Sequence, residues 1–338
     1  MRPLWLIRCD ANAEVGLGHL GRCLAVAEAL REAGSDLLFV GRFEADFAAA
    51  LANSGFAFSL QQREMTPEED SAFLEKRAVD NNAVGILVDG YRFDTEWLRR
   101  LSNAVFAPVL IDDFGTRGDY SLCRGIVNFT VGASEISYAP LEASQLLLGP
   151  SFFAARKALT ELRLQKPYRK MARPERLLVC LGGTASPRLL QLVLFALAEI
   201  LPDCEVRLLA PAADTAQISA STRRQAVLPI CDSLVPHFHW ADACISGGGL
   251  IKYECAYLGL PVGIISLNPS QQKETVLFSS RGLGYDLGNG CEQDLLKQNI
   301  KDFCENSLLR QCLSHQGSQT FPADAPEALA KQLILWTK

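Results

Sequence analysis

Short apolar runs alternate along the chain with longer stretches whose apolar residues recur at helical spacing. In the first part of the chain the predicted strands are residues 4–9, 37–40, 85–88 and 109–111. A predicted helix at residues 21–33 lies between the first two strands, and Gly34 follows it as a stop signal. Strands that alternate with helices indicate a parallel sheet covered by helices on both faces.

The pattern is interrupted at residues 165–175, which are rich in Pro, Lys and Arg and read as a linker. A second α/β series follows it. Its predicted strands are residues 176–181, 205–209, 243–245 and 261–267, and its predicted helices are residues 189–201, a helix from the glycines at 247–249 through Leu258, and a terminal helix at 326–336. We therefore predict an α/β protein of two doubly wound, Rossmann-like domains, residues 1–160 and 161–338, with a cleft between them.

Length and composition agree with two globular domains. The chain has 338 residues, of which 49% are hydrophobic and 21% are charged. The net charge of −5 lacks the basic character of a non-specific nucleic-acid binder, so we expect no nucleic-acid partner. Arg8 interrupts the first apolar run, and no run approaches the ~20 apolar residues of a membrane span. We expect a cytoplasmic protein, and the oligomeric state stays open.

The eleven cysteines show no CxxC pair and no zinc-type spacing with histidine. We interpret them as buried thiols in a reducing compartment. We accordingly expect neither a metal nor a cofactor.

Two glycine-rich loops each follow a predicted strand. Residues 16–21 (GLGHLG) match the G-x-G-x-x-G dinucleotide fingerprint. However, six residues separate the first strand from Gly16, and the second strand ends without an acidic residue. Arg42 would suit a 2′-phosphate, so an NADP-dependent oxidoreductase is kept as an alternative.

A second interpretation makes this loop a mount for His19 at a helix N-terminus. Gly16 and Gly18 let the backbone approach a ligand, and the free N–H groups favour an anion. Histidine is a frequent general base near neutral pH. Asp10, at the strand end, is predicted either to orient His19, to contact a sugar, or to form a turn. The alternative for His19 and Arg22 is a helix start followed by a solvated arginine.

Residues 8–30 (RCDANAEVGLGHLGRCLAVAEAL) resemble the R-x-D-x(5)-G-x-G-H-x-x-R opening of the nucleotide-sugar hydrolases of the pseudaminic-acid pathway. Further similarities follow in order over residues 4–285. They are Asp89-Gly90-Tyr91, Ile111-Asp112-Asp113, Val127-Asn128, Leu148-Gly149-Pro150, Leu181-Gly182-Gly183, Ala241-Asp242, Glu254 and Leu258-Gly259-Leu260-Pro261.

The resemblance implies a GT-B-like fold, related to that of inverting glycosyltransferases. It also implies hydrolysis of a UDP-linked 2,4-diacetamido-2,4,6-trideoxy-hexose to the free sugar and UDP. His19 would be the base that activates water, with Asp10 and Tyr91 beside the sugar. The implied substrate and nucleotide contacts are Gly16, Gly18, Arg22, Gly183, Thr184, Gly248, Gly249, Leu250, Glu254, Ser270 and Gln271.

The chain departs from this family at several of these positions. Leu250 and Ile251 stand where the family has a serine and a threonine, so hydroxyls that could meet a phosphate are lost, although Lys252 adds a charge. Ser270 replaces an asparagine, and Gly90 replaces a serine. Two alternatives therefore stay open: a glycosyltransferase of the same fold, in which an acceptor hydroxyl replaces water, and a sugar-nucleotide-binding relative without catalysis.

Several other residues have simpler interpretations. The glycines at 247–249 would also suit a tight strand-to-helix turn without a ligand. Asp112 and Asp113 are predicted to cap the turn after a strand rather than to bind a metal. His237 and His239 are predicted to lie in a loop, and His315 at the surface.

Overall fold

The computed structural model describes residues 2–11, 18–61, 63–104, 107–165, 172–231 and 233–337. Contacts divide the chain into two compact units. The first unit comprises Met1–Lys157 and Asp324–Lys338, and the second comprises Ala158–Ala323. Elements are numbered along the chain. Gly16 and most of the predicted linker, residues 166–171, lie outside the described residues.

The first unit contains a seven-stranded parallel sheet. Its strands are β1 (Leu4–Arg8), β2 (Asp36–Gly41), β3 (Ala57–Leu60), β4 (Gly85–Val88), β5 (Val109–Ile111), β6 (Gly125–Asn128) and β7 (Leu146–Leu148). Its helices are α1 (Gly18–Glu32), α2 (Ala45–Asn53), α3 (Pro67–Asp80), α4 (Thr95–Ala104) and α12 (Ala325–Leu335). The strand order is β3-β2-β1-β4-β5-β6-β7. Trp5, Leu6 and Ile7 of β1 are fully buried, as expected for a central strand covered on both faces.

The second unit contains a six-stranded parallel sheet. Its strands are β8 (Arg176–Cys180), β9 (Glu205–Ala210), β10 (Gln225–Pro229), β11 (Ala243–Gly247), β12 (Val262–Ile265) and β13 (Tyr285–Gly288). Its helices are α5 (Lys157–Gln165), α6 (Pro187–Ile200), α7 (Val235–Trp240), α8 (Ile251–Leu258), α9 (Pro269–Ser280), α10 (Gln293–Glu305) and α11 (Ser307–Thr320). The strand order is β10-β9-β8-β11-β12-β13.

Both sheets are doubly wound, which confirms the predicted fold class. In the first sheet the order reverses between β1 and β4, and in the second between β8 and β11. Ligands of such sheets bind beyond the carboxyl ends of the strands at this switch point. A ligand site is therefore expected at the loops that follow these four strands.

Two local predictions differ from the structure. Residues 324–337 belong to the first unit, although their place in the sequence assigned them to the second. Trp336, just after α12, donates its Nε1–H to the carbonyl of Ser144 (2.9 Å), and its ring lies against Gly125. An amphipathic helix does not reveal in its sequence which of two domains it packs on. His237 and His239, predicted to lie in a loop, are part of α7.

Eight of the eleven cysteines are buried, in line with the sequence prediction, and Cys231, Cys291 and Cys312 are exposed. Across the described ranges, no helix combines the length and the apolar character needed to span a bilayer.

Candidate functional site

His19 and Asp89 form a hydrogen-bonded pair at the switch point of the first sheet. His19 is the second residue of α1, is 8% exposed, and places its Nδ1 2.7 Å from Oδ1 of Asp89. Asp89 directly follows β4, and its backbone N–H donates to the carbonyl of Arg8 in β1 (2.9 Å), so the sheet fixes its position. Because Nδ1 faces a carboxylate, it carries the proton, and the ring presents Nε2 as its basic nitrogen.

The carboxylate of Asp89 is fully buried and remains ionised. Arg22 follows His19 by three residues on α1 and donates from Nε (2.5 Å) and Nη2 (2.6 Å) to the two oxygens of Asp89. Burial alone would raise the pKa of Asp89, but the charge of Arg22 and the hydrogen bonds from Arg22 and His19 hold it well below its usual range. Asp89 therefore orients the His19 ring.

Arg22 is a buried bridge between two strand-end carboxylates. Its Nη1 donates to Oδ2 of Asp113, which follows β5. Burial disfavours the charged guanidinium, but the charges of Asp89 and Asp113 outweigh this effect and raise the pKa of Arg22 well above its ordinary value. The interpretation of Arg22 as a solvated residue is wrong, because its side chain is only 6% exposed. Its donor nitrogens are engaged by the protein itself.

An exposed aromatic pair lies beside His19. The ring of Tyr91 contacts that of His19 edge-on, with 4.8 Å between centroids, and the ring of Phe114 lies 5.6 Å away on Tyr91. Tyr91 is 59% exposed and Phe114 is 51% exposed. Desolvation of the hydroxyl and the nearby Asp113 carboxylate raise the pKa of Tyr91 to about 12, so the hydroxyl is protonated at neutral pH.

Asp10 does not orient His19, so that prediction is wrong. Its carboxylate accepts from Arg8 Nη1 (2.7 Å), Arg92 Nε (2.6 Å) and the backbone N–H of Arg42 (2.8 Å). Burial would raise the pKa of Asp10, but Arg8 and Arg92 lower it. The same two arginines also donate to the buried Asp70, so Asp10 is part of an ion network with Asp70 and not a partner of His19. Asp10 as a sugar contact stays a prediction.

In the second unit, glycine lets the loops after β8 and β11 approach each other closely. Gly182 has a φ of +92°, in the left-handed region that favours glycine, and the exposed Gly183 and Thr184 follow it. A Cβ added to Gly247, at the end of β11, would lie 2.3 Å from the carbonyl oxygen of Leu181. These glycines therefore have a packing role in addition to the predicted binding role.

Gly248 is fixed by its neighbours, whereas Gly249 faces open space. The Gly248 N–H donates to Oε1 of Gln271 (3.2 Å), which also accepts from the N–H of Leu267 (2.9 Å). The Gly248 carbonyl accepts from Nζ of Lys252. An added Cβ at Gly249 would meet nothing within 4 Å. Gln271 thus holds the loop in place, and the open space lies at Gly249, two residues before α8.

Lys252 does not offer its charge at this surface. Its side chain is fully buried, and Nζ lies 3.0 Å from Oε2 of Glu274. Tyr253 donates its hydroxyl to the other oxygen of Glu274 (2.5 Å). The lysine is therefore part of an internal network that ties α8 to α9.

The other predicted contacts of the second unit lie around the start of α8 and α9. Leu250 is the residue before α8, and Glu254 lies in its first turn; both are partly buried. Ser270 lies exposed in the first turn of α9. The N-terminus of α8 supplies the N–H groups and the dipole that favour a phosphate.

Asp112 caps a turn, as predicted. Its carboxylate accepts from the N–H groups of Phe114 (3.0 Å) and Gly115 (3.1 Å) and from the hydroxyl of Tyr120 (2.6 Å). The same prediction is wrong for Asp113, whose Oδ2 accepts from Arg22 instead. Within the described part of the chain, no three His, Cys, Asp or Glu side chains come together as a metal site.

The role of Asp89 is not evident from its local sequence. Asp89-Gly90-Tyr91 is one of several triplets that resemble the hydrolase family, and nothing within it distinguishes the carboxylate. The signal that was available is positional: in a doubly wound sheet the fourth strand adjoins the first, so a carboxylate just after the fourth strand faces the helix that follows the first.

No model of a protein family matches the chain, and no curated protein sequence matches it. Solved structures resemble it over nearly its whole length. MurG of Acinetobacter baumannii has a TM-score of 0.67 at 13% identity, covering 98% of this chain and 100% of that one. The glycosyltransferase VinC in complex with dTDP has a TM-score of 0.67 at 14% identity, covering 99% of both chains. UDP-GlcNAc 2-epimerase of Neisseria meningitidis, bound to UDP-GlcNAc, has a TM-score of 0.66 at 12% identity, covering 99% of this chain and 100% of that one.

These likenesses and the two doubly wound parallel sheets define a GT-B-like protein built from two Rossmann-like units.

Proposed function

We propose that this chain is a nucleotide-sugar hydrolase that converts a UDP-linked diacetamido-trideoxy-hexose to the free sugar and UDP. The observation that carries the proposal is the His19–Asp89 pair at the switch point of the first sheet. The resemblance of residues 8–30 to the hydrolases of the pseudaminic-acid pathway supports the choice of substrate. The GT-B-like fold supports it too, because similar structures were solved with UDP-GlcNAc and dTDP.

In the proposed reaction His19 Nε2 accepts a proton from water as the water oxygen attacks the anomeric carbon. The bond between that carbon and the diphosphate oxygen breaks, and its electron pair leaves with UDP. Asp89 holds the His19 ring in the required tautomer. A base of this kind typically contributes ~10²–10⁴-fold to the rate.

The second unit supplies the nucleotide site in this proposal. The diphosphate would take the open space at Gly249, where the N–H groups and dipole of α8 favour negative charge. The same groups would stabilise the charge that develops on the leaving diphosphate. Glu254 is the candidate partner of the ribose hydroxyls.

The test is a panel of sugar nucleotides incubated with purified protein in ¹⁸O-labelled water, with products separated by chromatography and weighed by mass spectrometry. The panel contains UDP-GlcNAc, UDP-glucose and UDP-2,4-diacetamido-2,4,6-trideoxy-hexoses. We expect UDP release from a diacetamido sugar without added metal, with the label in the sugar. Label in the phosphate, or no release from any member, would contradict the proposal.

A glycosyltransferase is the second candidate. VinC, one of the similar structures, is described as a glycosyltransferase, and a His–Asp pair can deprotonate an acceptor hydroxyl as well as water. UDP release that requires an added acceptor would select this function. Tight binding of a sugar nucleotide without release under either condition would select a non-catalytic binding protein.

A further inference from the structure

The loops after β4 and β5 contain two features whose contacts with a substrate the proposed reaction does not specify. One is the exposed pair Tyr91 and Phe114. The other is Asp113, whose two carboxylate oxygens differ in their surroundings. Oδ2 accepts from Arg22, whereas Oδ1 is buried and, among the described residues, has no hydrogen-bond partner.

An unpartnered buried acceptor is unfavourable in the unligated protein, so Oδ1 of Asp113 is a position where a donor from a ligand would bind strongly. The position adjoins the candidate base. Arg22 donates to Asp113 through Nη1, and its Nη2 lies 3.2 Å from Nδ1 of His19. The guanidinium group of Arg22 therefore lies between the carboxylate of Asp113 and the ring of His19.

The aromatic pair has the complementary property of offering an apolar surface. Tyr91 lies between His19 and Phe114, with ring centroids 4.8 Å and 5.6 Å from its two neighbours. Tyr91 and Phe114 are each more than half exposed, which is unusual for two large aromatic residues in contact with each other. Ligand sites typically combine such an aromatic surface with a few well-placed polar groups.

We infer that Tyr91, Asp113 and Phe114 form a sugar subsite beside His19. The pyranose ring packs a C–H face on the two aromatic rings and donates one hydroxyl or amide N–H to Oδ1 of Asp113. This inference rests on the proposed function. The subsite favours sugars that have both an apolar ring face and a hydrogen-bond donor on the adjacent edge. A sugar without that donor would leave Oδ1 buried and unpaired, so Asp113 is the residue that decides specificity.

Binding measurements with three ligands test the subsite. Titration calorimetry with UDP, UDP-GlcNAc and UDP-2,4-diacetamido-2,4,6-trideoxy-hexose is compared for the wild type, Asp113→Asn and Phe114→Ala. Asparagine can keep its oxygen toward Arg22 and places an NH₂ group where Oδ1 was. We expect Asp113→Asn to weaken the better-bound sugar nucleotide by about 10-fold or more and to leave the affinity for UDP unchanged. Phe114→Ala should weaken the same ligand severalfold, again without an effect on UDP.

Analogues of that ligand separate a direct contact from a structural effect. In each analogue one hydroxyl is replaced by fluorine or one amide is N-methylated. If the hydrogen bond is direct, the loss of affinity caused by Asp113→Asn disappears for one analogue and persists for the others. The control variants are Phe195→Ala, which removes a phenylalanine on α6 that is 52% exposed, and Asp36→Asn, at the exposed start of β2. Neither should change any affinity.

The outcomes distinguish this inference from the proposed function. If the wild type binds none of the sugar nucleotides, the proposed function is wrong and the subsite with it. If the wild type binds them and Asp113→Asn weakens UDP and every analogue equally, or weakens none, the subsite is wrong and the proposed function stands.

Discussion

Nδ1 of His19 lies 2.7 Å from Oδ1 of Asp89, although the two residues are 70 positions apart in the sequence. The contact joins the helix after β1 to the end of β4, across the point where the strand order of the first sheet reverses. It fixes which imidazole nitrogen is free to accept a proton. The first predictions follow from this pair.

Replacement of His19 by alanine should abolish most of the turnover and leave nucleotide binding intact. Loss of a general base costs ~10²–10⁴-fold in rate, whereas the proposed function assigns the diphosphate to N–H groups of the second unit. Rates of UDP release and the affinity for UDP are the two measurements. His315→Ala, at an exposed position of α11, is the matched control and should match the wild type. Full activity of His19→Ala would remove His19 as the base.

Asp89→Asn should slow turnover by about 10²–10⁴-fold, because the amide no longer fixes the His19 tautomer. The variant should also be less stable by ~1.5–3 kcal/mol, since Arg22 loses a charged partner in a buried setting. Steady-state rates and urea denaturation check the two effects. Unchanged rates in a folded variant would show that the pair is structural; Asp36→Asn serves as the control.

Stability should fall in acid partly because of Asp89. Its pKa in the folded state lies below the unfolded value of about 3.9, so the unfolded chain binds the proton first as the pH falls. The stabilisation is therefore fully present at neutral pH, declines below about pH 5, and is lost as the pH drops through the folded pKa. Urea denaturation from pH 3 to pH 7 should give a shallower pH dependence for Asp89→Asn than for the wild type. Asp10, whose pKa is also lowered, keeps part of the slope in both proteins. Parallel curves would contradict the assignment.

Gly249→Ala should weaken UDP binding without destabilising the fold. The new methyl group meets no protein atom within 4 Å, but it occupies the space assigned to the diphosphate. Crowding of this kind costs ~1–3 kcal/mol, or roughly 5-fold to 150-fold in affinity. Gly248→Ala is the contrasting variant: its Cβ would lie 2.7 Å from Cβ of Gln271, so it should lower the melting temperature as well. An unchanged UDP affinity in Gly249→Ala would place the nucleotide elsewhere.

The sequence predicted the fold class and the central strands of both sheets because strands and helices leave local periodic signals. The predicted strands 85–88 and 109–111 coincide with β4 and β5, and the glycines at 247–249 lie at the junction of β11 and α8, as predicted. The partners of side chains were less predictable, because they depend on contacts between residues far apart in the chain. The sequence allows Asp10 to orient His19, to contact a sugar or to form a turn, and it gives no sign that Arg8 and Arg92 bind the carboxylate. The burial of Lys252 depends in the same way on Glu274, 22 positions away.

Because α12 packs on the first unit, the two units are completed at different stages of synthesis. Residues 158–323, the whole of the second unit, precede Asp324 in the chain, whereas the first unit lacks its last helix until residues 325–335 have been made. Trp336 then covers Gly125 and bonds to Ser144. The unit that begins to emerge from the ribosome first is therefore completed last. The second unit can fold before the C-terminal helix of the first unit has been made.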